Sequence, residues 1–220
     1  MSKDTLRITE IFYSLQGEGT TVGLPTTFVR LTGCPLRCGY CDTEYAFYGG
    51  ETRSLDDIVS EVDSLPAQYI TVTGGEPLAQ KRVHLLMKQL CDKGYKVSIE
   101  TSGSMDVSQL DERVVKVLDV KTPCSNEEDK NLHANYAYLN PTDQLKYVIA
   151  DKADFDWSIK HMLEHNLNNR CEILFSPCMG EMEASQLADW VLQEKLAKAK
   201  FPIRFQLQLH KILWGDSPGK

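Results

Sequence analysis

The sequence lacks several features that mark specialised classes of protein. None of its apolar runs approaches the roughly 18 residues of a membrane-spanning helix. Glycine and proline, at 14 and 9 of 220 residues, are too sparse for a collagen-like chain. The polar N-terminal segment leads into no apolar signal region, so we expect a cytoplasmic protein. Because no internal repeat or linker stands out, we expect a single domain over residues 1–220.

Basic residues are also fewer than acidic ones. The chain has 24 Lys and Arg against 31 Asp and Glu, a net charge of −7. This balance argues against a nucleic-acid-binding protein, which normally presents a basic face. It leaves room for a local basic pocket that binds a small anion. Hydrophobic residues, at 42%, are sufficient for a core without disulfide bonds.

Alternating strand and helix patterns predict an α/β fold. Strands separated by helices imply right-handed βαβ units and a mostly parallel sheet, with ligands at the carboxyl ends of the strands. About seven strands fall short of an eight-unit barrel of about 250 residues, so we expect a shortened, open (β/α) partial TIM-like barrel. Residues 122–142 read as a polar excursion between strands. Strands are predicted at 26–31, 69–73, 96–100, 114–120, 145–150, 171–175 and 203–209, and helices from Ser54 and over 79–92, 153–165 and 183–199.

Three of the seven cysteines lie close together, as Cys34, Cys38 and Cys41, and the other four are scattered. The odd number argues against a disulfide framework. Structural zinc sites usually have four closed protein ligands. Three thiolates on an iron–sulfur cluster would instead leave one iron open to an exogenous ligand. We favour this open cluster, and a zinc loop with a distant fourth ligand or unrelated surface cysteines are the alternatives.

Two motifs together resemble the radical S-adenosylmethionine superfamily: the cysteine spacing with Tyr40 before the last cysteine, and Gly-Gly-Glu-Pro at 74–77. A narrower run, strongest over residues 10–103 and including His210-Lys211, is similar to the 7-carboxy-7-deazaguanine synthase family. This resemblance implies conversion of 6-carboxy-5,6,7,8-tetrahydropterin to 7-carboxy-7-deazaguanine with loss of ammonia, a step of queuosine or deazapurine biosynthesis and of tRNA modification. It also implies a 4Fe–4S cluster, S-adenosylmethionine, Mg²⁺, a homodimer and a flavodoxin-like electron donor.

The resemblance also implies roles for individual residues. Cys34, Cys38 and Cys41 would ligate the iron–sulfur cluster and Thr43 would ligate Mg²⁺. No side chain is expected to be catalytic, since the cofactor supplies the radical. Substrate contacts are expected from Leu15, Gln16, Gly17, Glu18, Arg30, Thr73 and His210. Contacts with S-adenosylmethionine are expected from Tyr40, Cys41, Asp42, Gly75, Glu100, Ser102, Asp119, Val120, Lys121, Ser176, Pro177, Cys178 and Met179.

Elementary chemistry supports several of these roles. Gly74 and Gly75 leave the backbone open to a cofactor. Gln16 and Glu18 suit the guanidine-like edge of a pterin. An inward-facing Arg30 would need an anionic partner such as the substrate carboxylate, whereas an outward-facing one would be solvated.

Two other functions remain open at this stage. An activase that abstracts hydrogen from a glycine of a partner protein would need an exposed peptide groove. A non-enzymatic iron–sulfur or zinc module would leave residues 74–77 without a role. The remaining histidines, His84, His133, His161 and His165, show no metal-ligand spacing and are interpreted as surface or satisfied core residues.

Overall fold

One nine-stranded sheet forms the frame of the computed structural model, which describes residues 4–194, 200–215, 217 and 219–220. The strand order is β3-β1-β2-β4-β5-β6-β7-β8-β9. The strands are β1 (Thr5–Leu15), β2 (Pro25–Leu31), β3 (Glu51–Ser54), β4 (Tyr69–Gly74), β5 (Lys96–Thr101), β6 (Val115–Val120), β7 (Gln144–Ile149), β8 (Glu172–Pro177) and β9 (Ile203–Phe205). The α-helices are α1 (Leu55–Ser64), α2 (Val83–Asp92), α3 (Lys152–Glu164), α4 (Ala184–Gln193) and α5 (Leu209–Trp214).

The parallel part of the sheet confirms the predicted fold class. From β2 through β4, β5, β6, β7 and β8 to β9, each strand pairs in parallel with the next. The sheet stays open, because β3 and β9 are its edges. The helix predicted from Ser54 is observed as α1, and the Ser54 side chain caps it by accepting a hydrogen bond from the Asp57 N–H. All seven parallel strands therefore place their carboxyl ends at one rim.

Two parts of the chain differ from the expectation. β1 has eleven residues, pairs antiparallel with β2 and β3, and extends the sheet beyond its parallel part. The predicted strand at 203–209 is wrong beyond Phe205, because Leu209 begins α5. The predicted helix at 183–199 is observed as α4, and residues 195–199 lie outside the described residues.

Two hydrophobic cores pack the helices against the sheet. The first joins β2, β4 and β5 to α1 and α2 through residues such as Val29, Ile58 and Leu86. The second joins β7 and β8 to α3 and α4 and includes Phe155 and Leu187. Each fully buried aliphatic or aromatic side chain stabilises the fold by about 1.5–3 kcal/mol. These cores fix the strand ends relative to one another.

The polar excursion at 122–142 folds back onto the cysteine loop, here called the cluster loop (residues 33–43). The excursion contains short 3-10 helices rather than extended chain. The Gly39 N–H donates to the Ser125 carbonyl at 3.0 Å, and the Arg37 N–H donates to the Glu127 carboxylate at 2.5 Å. Within the described residues, every helix is too short or too polar to cross a membrane.

Candidate active site

A cleft at the carboxyl ends of the parallel strands collects most of the predicted site residues. It is open to solvent and has a cavity volume of about 200 Å³. The predicted residues that line it are Leu15, Gln16, Gly17, Glu18, Arg30, Cys34, Cys38, Cys41, Asp42, Thr43, Thr73, Gly75, Glu100, Ser102, Asp119, Lys121 and His210.

The three clustered cysteines are free thiols on the wall of this cleft. Burial raises the pKa of Cys34 and Cys41, and it raises the pKa of Cys38 to about 11. The ammonium of Lys121 opposes this effect at all three thiols. Free thiols at these positions are therefore protonated at neutral pH, and metal coordination is the interaction that would deprotonate them.

Gly74 and Gly75 are required by packing between strands. A Cβ on Gly74 would lie 2.4 Å from the Leu31 carbonyl oxygen. A Cβ on Gly75 would lie 2.4 Å from the Gly33 carbonyl oxygen and 2.8 Å from the Cys34 Cβ. Glycine at these two positions therefore lets the end of β4 and the turn after it pack against the end of β2 and the start of the cluster loop. This close packing explains the two glycines more directly than access of a cofactor does.

Glu76 is a buried anchor that the sequence analysis did not assign to the site. Its carboxylate accepts hydrogen bonds from the Leu78 N–H, the Thr101 hydroxyl and both the N–H and the hydroxyl of Ser102, at 2.6–2.9 Å. The predicted cofactor ligand Ser102 is thus held in place by Glu76. The Gly-Gly-Glu-Pro motif ties the end of β5 to the turn after β4.

Lys146 on β7 is a second residue of the cleft that the sequence analysis did not assign to the site. Its ammonium donates to the Glu18 carboxylate at 2.5 Å, and Gln208 donates to the other Glu18 oxygen at 2.7 Å. Burial acts to lower the pKa of Lys146, but the charges of Glu18, Asp119 and Glu100 outweigh it and raise the pKa above its usual value. Lys146 is therefore a fixed cation in the cleft.

Gln16 and Glu100 form the floor of the cleft. The Gln16 amide donates to the Thr71 hydroxyl at 3.0 Å and to the Glu100 carboxylate at 3.3 Å. Thr73 donates to the other Glu100 oxygen at 3.1 Å. Burial, followed by the charge of Glu18, raises the pKa of Glu100. This carboxyl can therefore hold a proton more readily than an exposed glutamate does.

Arg30 faces the cleft, although part of its charge is already balanced. Its Nε lies 2.7 Å from the Glu10 carboxylate, which also accepts a hydrogen bond from the Tyr45 hydroxyl. The guanidinium packs over the rings of Phe12 and Tyr45, each at 5.7 Å. The solvated alternative for Arg30 is wrong, because its side chain is only 15% exposed.

Asp42, Thr43 and His210 close one side of the cleft. The Thr43 hydroxyl donates to Asp42 at 2.7 Å, so the lone pairs of its oxygen are not used in that bond. Burial acts to raise the pKa of Asp42, but this hydrogen bond and the Lys211 ammonium lower it overall. The His210 ring lies against Gly17, where a Cβ would be 2.1 Å from Nδ1. Burial lowers the pKa of His210, which favours a neutral imidazole.

A second cavity adjoins the first and shares Cys41, Asp42, Asp119, Lys146 and Gln208 with it. The predicted residues Tyr40, Cys178 and Met179 line this second cavity. Three other predicted residues, Val120, Ser176 and Pro177, line neither cavity, although all lie in the described part of the chain. Their side chains are buried in β6 and β8, and the Ser176 hydroxyl has no hydrogen-bond partner among the described residues.

Comparison with known proteins places this cleft in a family. Residues 28–121 match the model of the radical SAM superfamily. The chain is 41% identical over 212 residues to the 7-carboxy-7-deazaguanine synthase of Chlorobaculum tepidum, covering 95% of this chain and 94% of that protein. The chain belongs to the 7-carboxy-7-deazaguanine synthase family. The synthase of Koribacter versatilis is 42% identical over 224 residues, covering 95% and 97% of the two chains.

The fold agrees with this family. The crystal structure of QueE from Escherichia coli superposes with a TM-score of 0.71 at 20% identity, over 92% of this chain and 94% of that one. Members of the 7-carboxy-7-deazaguanine synthase family are radical SAM lyases, which use a 4Fe–4S cluster and S-adenosylmethionine. These relatives support neither a non-enzymatic metal module nor an activase.

The residues of the cleft fit these two groups. Three free thiols line one wall, as a cluster with an open iron requires. Asp119 pairs with Lys121 through Oδ2 at 2.9 Å, whereas its buried Oδ1 has no hydrogen-bond partner among the described residues. A buried carboxylate oxygen without a partner is costly, and a donor such as the amino group or a ribose hydroxyl of S-adenosylmethionine would satisfy it.

Proposed function

We propose that this protein converts 6-carboxy-5,6,7,8-tetrahydropterin to 7-carboxy-7-deazaguanine with loss of ammonia, in the biosynthesis of queuosine or another deazapurine. One observation carries the proposal: the three cluster-loop thiols and a set of buried or half-buried polar groups line a single cleft. A substrate bound to those polar groups would lie beside the cofactor. The polar groups are Gln16, Glu18, Arg30, Thr73, Glu100, Lys146 and His210.

In this proposal, Cys34, Cys38 and Cys41 hold the iron–sulfur cluster, and Asp119, Gly75 and the Glu76-anchored Ser102 help to bind S-adenosylmethionine. When bound, these groups supply one-electron chemistry that removes a hydrogen atom from carbon 6 of the pterin. The protein supplies position and limits access of water, because the cleft walls are built from buried strand ends.

The charges in the cleft suit a pterin that carries a carboxylate. Arg30 and Lys146 supply cations for the carboxylate, and Glu18 and Gln16 supply acceptor and donor groups for the pterin edge. The raised pKa of Glu100 makes it the carboxyl best suited to hold a proton while ammonia leaves.

Thr43 provides the test of the metal part of the proposal. Mg²⁺ prefers oxygen ligands and uses few protein groups, and the Thr43 oxygen faces the cleft beside Asp42. Anaerobic turnover of the pterin should be stimulated by Mg²⁺ in the wild-type protein and not in Thr43→Ala. Thr52→Ala, an exposed threonine on β3, is the control and should keep the stimulation. Full Mg²⁺-stimulated activity in Thr43→Ala would refute the assignment.

The homodimer, the flavodoxin-like electron donor, the cytoplasmic location and the single domain over 1–220 belong to this proposal as predictions from the sequence. Gel filtration of the holoenzyme tests the dimer. Turnover with reduced flavodoxin in place of a chemical reductant tests the donor.

A further inference from the structure

Three histidines that the sequence analysis treated separately meet on the surface of the fold, outside the active site. His161 lies in α3, His165 is the first residue after the end of α3, and His133 belongs to the excursion at 122–142. One ring nitrogen from each histidine lies within 4.8 Å of the other two. The sequence spacing could not show this, because the ligands come from two separate segments.

The three imidazole rings pack directly against one another. Ring centroids are 4.6 Å apart for His133 and His165, 4.7 Å for His161 and His165, and 5.4 Å for His133 and His161. The rings line one open depression, which is also lined by the carboxylates of Glu128, Asp129 and Glu164 and by Lys160, whose ammonium lies 3.7 Å from Glu164. Imidazole nitrogens with nearby carboxylate oxygens are the donor set that zinc and similar divalent ions bind.

The buried member of the group, His161, is held in a fixed orientation. Its Nδ1 lies 3.0 Å from the Tyr147 hydroxyl and its Nε2 lies 3.2 Å from the Tyr136 hydroxyl. Trp157 stacks on the ring with centroids 4.7 Å apart. Metal-ligating histidines normally use one ring nitrogen for such an orienting hydrogen bond. Because both ring nitrogens of His161 contact tyrosine hydroxyls, one of these two hydrogen bonds must break when the ion binds.

We propose that His133, His161 and His165 form a structural binding site for a divalent transition-metal ion of the zinc type. The fourth position would be taken by one of the carboxylates that line the depression, which closes the coordination as in other structural zinc sites. The ion would join the excursion to α3. Because Ser125 of the excursion holds the cluster loop through Gly39, the ion would also stabilise that loop from outside the active site.

The test uses anaerobically reconstituted holoenzyme, whose cluster cysteines are already occupied, titrated with Zn²⁺ against a chromophoric chelator. The wild-type protein should bind about one zinc per chain in addition to its iron. His133→Gln and His165→Gln should each weaken this binding at least about tenfold. His133→Cys, which restores a zinc ligand, should bind within about tenfold of the wild type.

Two controls separate this site from other metal-binding side chains. His84→Gln removes a histidine on α2, and Cys124→Ser alters a second group of potential ligands with Asp151 and Asp154. Both variants should bind zinc as the wild type does. Saturating zinc should also raise the unfolding midpoint of the wild type by about 5–10 °C at a hundredfold excess over Kd, and not that of His165→Gln.

Two results would overturn the proposal. The first is zinc binding that is unchanged in His133→Gln and His165→Gln. The second is that the wild-type holoenzyme, with its iron in place, binds no zinc. Equal iron content in all variants shows that they are folded, so a loss of zinc binding is not a loss of structure.

Discussion

The ion pair between Lys146 and Glu18 offers a sharp test of how the cleft is held together. The two charges are 2.5 Å apart, and their side chains are only 13% and 10% exposed. Lys146→Met leaves the Glu18 carboxylate nearly buried and without its cation, close to Glu100. Removing one partner of a buried pair costs about 3–5 kcal/mol, and the remaining exposure places our expectation at about 3 kcal/mol.

The assay is calorimetric unfolding of the anaerobically reconstituted protein. For a chain of this size, 1 kcal/mol shifts the midpoint by about 2–4 °C, so Lys146→Met should lower it by about 6–12 °C. Lys130→Met is the matched control, because Lys130 pairs with Asp129 at the same 2.5 Å but the two side chains are 50% and 72% exposed. Exposed pairs contribute at most about 1 kcal/mol, so the control should shift by no more than about 4 °C.

A double variant tests the same reasoning from the other side. Adding Glu18→Gln to Lys146→Met removes the unpaired carboxylate and should recover part of the lost stability. The reasoning is refuted if Lys146→Met and Lys130→Met shift the midpoint equally. It is also refuted if the loss in the double variant equals the sum of the two single losses.

Three further variants test the cluster loop and its support. Cys38→Ala should abolish iron binding on reconstitution, whereas Cys91→Ala on α2 should keep it. Gly75→Ala should lower iron content because its Cβ would clash with Gly33 and Cys34. Gly94→Ala strains a backbone with a φ of 89°, but its Cβ meets no atom within 4 Å and the site is remote from the cluster loop, so it should keep its iron. Glu76→Gln places an amide donor opposite the N–H and hydroxyl donors of Ser102. It should lower the free energy of unfolding by about 2 kcal/mol and raise the KM for S-adenosylmethionine. Glu112→Gln, at an exposed position, should change neither quantity.

The features that could be predicted from the sequence are local ones. The cysteine spacing, the Gly-Gly-Glu-Pro turn and the strand patterns lie within short segments, and chain direction alone places the ends of parallel strands at one rim. The predicted strand at 203–209 went wrong because a short strand and a following helix turn carry similar apolar patterns there.

The features that could not be predicted depend on pairing between distant segments. Lys146 belongs to the site because β7 brings it to Glu18, and nothing around residue 146 signals this contact. Glu76 anchors Ser102 only because β4 and β5 are neighbours in the sheet. The histidine group likewise needs the excursion to fold over α3. Such contacts follow from topology rather than from local pattern.

The most direct test of the account follows the hydrogen atom from substrate to cofactor. Anaerobic protein would be given 6-carboxytetrahydropterin carrying deuterium at carbon 6, with S-adenosylmethionine, Mg²⁺ and a reductant. The account predicts 7-carboxy-7-deazaguanine as the product and deuterium in the adenosyl group, with both absent in Cys38→Ala. Cleavage of S-adenosylmethionine without the deazaguanine product, or product without deuterium in the adenosyl group, would contradict it.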